Sequence, residues 1–72
     1  MNGPGTLKLT VNGGPHLVPA GTTIAGLLAS LGLDRRKVAV ERNEEIVVRS
    51  TYETARLEPA DRLEIVHFIG GG

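Results

Sequence analysis

Cysteine is missing from this 72-residue chain, which excludes disulfide staples, a thiolate nucleophile, zinc ribbons and iron–sulfur clusters held by its own side chains. Aromatic residues are nearly missing too, with one Tyr and one Phe. Nor is there an excess of charge, because eight Lys and Arg balance eight Asp and Glu. A nucleic-acid partner calls for a basic surface or stacking rings, so that class is set aside. Apolar runs last only a few residues and no basic segment precedes one. No membrane span or secretory leader is therefore expected, and the cytosol is the expected location. The length suits one domain over residues 1–72, and 40% apolar residues promise a small core.

What is present is strong punctuation. Met1 to Gly5 reads as a disordered start. Leu7, Leu9 and Val11 then alternate with Lys8 and Thr10 at the period of a half-buried strand. Asn12-Gly13 readily takes the positive φ of a tight hairpin turn, so the chain is expected to return through Pro15 to Val18. After Pro19-Ala20-Gly21, Thr22 or Thr23 can cap a helix whose Ile24, Leu27, Leu28 and Leu31 make one apolar stripe. Gly32 suits the left-handed position after that helix, Leu33 the contact that follows, and Arg35 to Lys37 lie near the negative helix end.

Val38 and Val40 begin a second β half. Asn43-Glu44-Glu45 reads as a turn and Ile46 to Val48 as a short strand. Ser50 and Glu53 have the spacing of a capping box, which predicts one helical turn around Tyr52 to Ala55 before Leu57 enters the core. Glu58-Pro59-Ala60-Asp61 predicts a turn, and Leu63 to Phe68 the last strand. A hairpin, a helix across one face and two or three further strands make an α+β fold in two layers, with a mixed sheet of four to five strands.

The end of the chain carries the functional signal. Leu63 and Ile65 share one face of the last strand, and Glu64, Val66 and Phe68 the other. One helix covers one face, so Val66 and Phe68 are expected on the open side, with Ala39 beside them, as a docking patch. The alternative is a bulge or loop that buries Phe68. Gly70-Gly71-Gly72 follows at once. Three glycines have no side chains to anchor them, so the segment is expected to be a mobile, narrow arm. Arg42, Arg62, Glu41 and Glu64 are candidates for steering a partner, or else simply solvated strand edges.

The helix segment Thr22 to Leu31, the run Val38-Ala39-Val40-Glu41-Arg42-Asn43 and the ending Asp61 to Gly72 together resemble the ThiS family of ubiquitin-like sulfur carriers. The resemblance covers nearly everything from Leu7 onward. It implies a β-grasp fold and a non-enzymatic role in thiamine (thiazole) biosynthesis, with sulfur carried as a thiocarboxylate on Gly72 and with Gly70 and Gly71 as the tail. It also implies partners: a ThiF-type adenylating enzyme that uses ATP and magnesium, a cysteine desulfurase or sulfurtransferase, and a thiazole synthase. Val66, His67, Phe68 and Ile69 are the expected docking residues, and the carrier itself is expected to bind no cofactor. Related carriers serving molybdopterin or cysteine synthesis, and a non-covalent β-grasp module, are the alternatives.

The other candidate residues point away from catalysis. His16 and His67 have no Asp or Cys at metal-binding spacing. His67 is expected to be a partly buried strand residue with possible partner contact. Ser50 lacks a nucleophile elbow and reads as a cap. The glycine clusters near residues 3–5 and 13–14 lack the Lys-Ser or Lys-Thr of a phosphate loop, so ATP is expected to be a partner's ligand.

Overall fold

The computed structural model describes residues 5–68. In chain order these form β1 (Thr6–Val11), β2 (Gly14–Pro19), α1 (Ile24–Ser30), β3 (Val38–Arg42), β4 (Glu45–Ile46) and β5 (Arg62–His67). Single 3₁₀ turns lie at Arg35–Lys37 and Arg49–Thr51. The sheet has five strands in the order β2-β1-β5-β3-β4. Its one parallel pair is β1 with β5, and the other neighbours are antiparallel. This is the expected mixed sheet with one helix, and β5 is its centre.

Local chemistry explains most of the elements. Asn12 and Gly13 hold φ of 49° and 84° and close the β1–β2 hairpin. Of the two threonines offered as caps, Thr23 is the one used, its Oγ1 accepting the Gly26 N–H at 3.1 Å. The N–H groups of Ile24 and Ala25 donate to the carbonyls of Ala55 and Tyr52, so the loop before β5 satisfies the rest of the helix start. At the other end Gly32 sits at φ 73°, with its N–H on Ala29 O and that of Leu33 on Leu28 O, the double bond pattern of a Schellman cap.

Ile24, Leu27 and Leu28 turn inward onto Leu9, Val18, Val38, Val40 and Leu63, with Tyr52 and Leu57 closing the layer from the loop side. Leu31 and Ile65 are only partly buried at the margin of this core. The outer face of the sheet has no layer over it among the described residues.

Four expectations are corrected. Arg35 to Lys37 do not complement the end of α1, because Asp34 caps them into a separate 3₁₀ turn by accepting the Arg36 N–H. The fourth strand is Glu45–Ile46 rather than Ile46 to Val48. Beyond it the side chain of Arg49 takes the place of a strand, donating to Val38 O at 3.0 Å. Ser50 caps nothing: the local turn is 3₁₀ over Arg49–Thr51, begins at Val48 and has no side-chain cap. Glu53 reaches instead to Arg35, at 2.6 Å. The last strand runs Arg62–His67, although the Phe68 N–H still donates to Lys37 O.

Candidate functional site

The end of β5 is built from both neighbours. Val66 lies opposite Ala39 of β3, and the bond from Val47 N to Val40 O continues the β3–β4 register so that Val48 comes level with Ala39. Val48, Ala39 and Val66 thus form a row across the outer face, extended by Phe68. Val66 is 57% exposed and Phe68 53%. The bulge that would have buried Phe68 does not form. Its ring lies under the Arg49 guanidinium, 5.7 Å from the centroid, an arrangement that orients an aromatic side chain without removing it from solvent. Ile46, opposite Glu41, adds a further exposed side chain on the same face. Ile46, Val48, Val66 and Phe68 are thus exposed apolar side chains grouped on one face of the sheet.

On the inner face, the end of α1 and the tip of the β1–β2 hairpin leave a groove of about 410 Å³. Its walls include Leu31 and Leu33 after the helix and Val38 and Ile65 from the sheet, with His16 and His67 at the rim. The two histidines, distant in sequence, therefore share one groove. No signal in the residue spacing could have joined them, since the juxtaposition depends on the parallel β1–β5 pair. His67 is exposed rather than partly buried, because β5 overruns β1 and has no strand on that side there, although Val38 of β3 lies opposite it on the other. Among the described residues no group of three or more His, Cys, Asp or Glu is placed to hold a metal ion.

Asp61 was not singled out from the sequence, yet it is the buried charged residue beside the start of β5, 4% exposed. It accepts from Arg42 Nη2 at 2.8 Å, from Asn43 Nδ2 at 3.1 Å and from the Glu58 N–H at 2.9 Å. Arg42 also donates to Arg56 O. Arg42 thus helps to fix the end of β3. Asn43 accepts the Arg62 N–H on its side-chain oxygen, so the same cluster sets where β5 begins. Arg62 itself is exposed and 3.9 Å from Glu44, leaving it and Glu64 as surface charges.

At the surface, Asp34 holds Arg36 through two side-chain bonds of 3.1 and 3.0 Å. Its carboxyl is lowered to about 2, first by those bonds and then by the Arg36 N–H. Ile69, Gly70, Gly71 and Gly72, named from the sequence as docking and tail residues, lie outside the described residues. Among the described residues no helix is long and apolar enough to cross a membrane.

Comparison with known proteins adds to this geometry. The model of the ThiS family matches residues 8–72. A thiazole synthase of Magnetococcus marinus is 53% identical over 66 residues, which are 92% of this chain and 20% of that protein. The sulfur carrier protein ThiS of Bacillus subtilis is 50% identical over 50 residues, 69% of this chain and 76% of that protein. The crystal structure of the thiamine biosynthesis protein ThiS from Geobacter metallireducens matches with a TM-score of 0.77 at 32% identity, covering 92% of this chain and all of the other. The chain spans about a fifth of the length of the thiazole synthases it matches.

Proposed function

The chain belongs to the ThiS family, and on that premise we propose that it is a sulfur carrier for thiamine biosynthesis whose reacting group is the carboxyl of Gly72. The observation that carries this reading is the arrangement at the end of β5. An uncovered apolar row on the outer face stands immediately before Ile69-Gly70-Gly71-Gly72 in the chain. The row gives a partner something to hold, and the glycines admit the chain end to a narrow site.

The chemistry follows from the carboxylate. Its charge is shared by two oxygens, so a sulfur nucleophile cannot displace oxygen until one oxygen becomes part of a leaving group. A ThiF-type enzyme using ATP and magnesium would form the acyl-adenylate and release pyrophosphate. Sulfur delivered as a persulfide by a desulfurase or sulfurtransferase would then displace AMP, and reduction of the acyl–sulfur adduct by a second thiol would leave the thiocarboxylate. A thiazole synthase would take the sulfur from it. None of these steps asks the carrier for an acid, a base or a metal ligand. Ordering three tail residues costs about 3 to 6 kcal/mol, which contacts made by the body must offset.

Intact-mass measurement tests the reading. Incubation with ATP, magnesium, the activating enzyme and a sulfur donor is expected to exchange one oxygen for sulfur at Gly72. A chain lacking Gly71 and Gly72 is expected to stay folded and gain nothing. No mass gain with any activator would overturn the proposal, and full partner function in the shortened chain would favour a non-covalent module.

A further inference from the structure

β5 has a stretch of edge to which none of the other described residues bonds. The Phe68 N–H donates to Lys37 O and the Asn43 N–H to Arg62 O, so even-numbered residues of β5 turn their backbone groups toward β3. Odd-numbered residues turn toward β1: Leu63 O accepts from the Asn12 N–H. β1 stops at Val11, and the side chain of Asn12 stands in for one more strand residue. Its Oδ1 accepts the Ile65 N–H at 2.7 Å and its Nδ2 donates to Ile65 O at 3.3 Å. One step further, the N–H and C=O of His67 face the same lane, and no backbone or side chain among the described residues bonds to them. The apolar groove between Leu31, Leu33, Val38 and Ile65 opens under this lane.

Resting on the function proposed above, we propose that the free edge at His67 and the groove beneath it receive an extended segment of the thiazole synthase by strand addition. An N–H and a C=O side by side on a strand edge match the paired groups of an extended backbone, and the groove takes an apolar side chain of a segment lying in that lane. Reach narrows the supplier to an enzyme that acts on Gly72. The four residues that follow Phe68 in the chain, Ile69 to Gly72, span at most about 14 Å, so an enzyme acting on Gly72 must bring its surface against the end of β5. The matched thiazole synthases contain a segment like 92% of this chain within a longer one, which makes that enzyme the occupant of choice. Pairing at His67 sets the direction in which the following glycines leave the body, a task that the outer apolar row alone does not perform.

The test uses the full chain and purified thiazole synthase from the same source. In the free protein the His67 amide is expected to exchange hydrogen rapidly, and in the complex slowly, together with amides of one short segment of the synthase. His67→Pro deletes the N–H that faces the lane and leaves the β3 ladder untouched. It is expected to weaken binding about tenfold, the effect of losing one well-formed interfacial bond, while His67→Ala, which keeps the N–H, loses much less. Binding with no protection at His67 would overturn the inference and leave the sulfur-carrier reading standing. So would protection by self-association of the carrier alone, which would assign the lane to a second copy. If the synthase does not bind at all and Gly72 gains no sulfur, both fail. Should His67→Pro not fold, the exchange measurement on the wild-type chain decides alone.

Discussion

Asp61 and Asp34 show how differently two carboxylates can serve one small protein. Asp61 is buried and meets three donors, two from the neighbouring residues Arg42 and Asn43 and one from Glu58 in the turn before β5. Truncating it would leave Arg42, Asn43 and the Glu58 N–H without that acceptor. Asp61→Ala is therefore expected to cost about 3 kcal/mol in chemical denaturation. Only the place of Asp61 in the Glu58–Asp61 turn was legible locally, because Arg42 and Asn43 reach it only once β3 lies beside β5. Asp34, by contrast, sits at the surface with its carboxyl lowered to about 2, chiefly by Arg36. A lowered folded value stabilises the protein above the ordinary carboxylate range. That contribution fades as pH falls from about 4 toward 2. Thermal melts of the wild type and Asp34→Asn should differ by a small constant amount near neutral pH, and the gap should close across that acid window.

The helix is the element that could be read most completely, because its signals are local. Thr23 and Gly32 act through atoms within a few residues of themselves, and the apolar stripe needs only the period of the helix. Gly32→Ala places a side chain at φ 73° and is expected to lower stability by about 1 kcal/mol, read as a shift in denaturation midpoint. Failure came where local and distant partners competed. Ser50 and Glu53 have capping-box spacing, but Arg35 takes Glu53 and the turn begins two residues before Ser50. β4 is short for a similar reason, since the Arg49 side chain replaces the strand bond that Val38 O would accept. Asn12 plays the equivalent part beside β5. Its hairpin role was legible from Asn-Gly, whereas its service as a surrogate strand residue depends on a parallel neighbour that enters far later in the chain.

For the whole molecule, the decisive fact is that one helix covers one side of a five-stranded sheet. Alternation along β5 therefore divides its side chains into two populations with different consequences. Leu63, 1% exposed, is core, and Leu63→Ala is expected to cost about 2 to 5 kcal/mol, enough to unfold a domain of this size. Phe68 on the opposite face should behave otherwise. Phe68→Asp is expected to leave the melting temperature near wild type and to weaken binding of the activating enzyme or the synthase, measured by calorimetry. The division itself could be read from the period of two. The groove shared by His16 and His67 could not, since it arises where a hairpin from the front of the chain ends short of the last strand.

That last strand is also the middle of the sheet, and the placement couples manufacture to use. The hairpin β1–β2 and the pair β3–β4 have no ladder with each other until β5 arrives between them. A chain truncated anywhere before Arg62 is two half-sheets without a keystone. A surface drawn from both sides of β5, such as the row of Val48, Ala39 and Val66, consequently exists only on a body whose assembly is already finished.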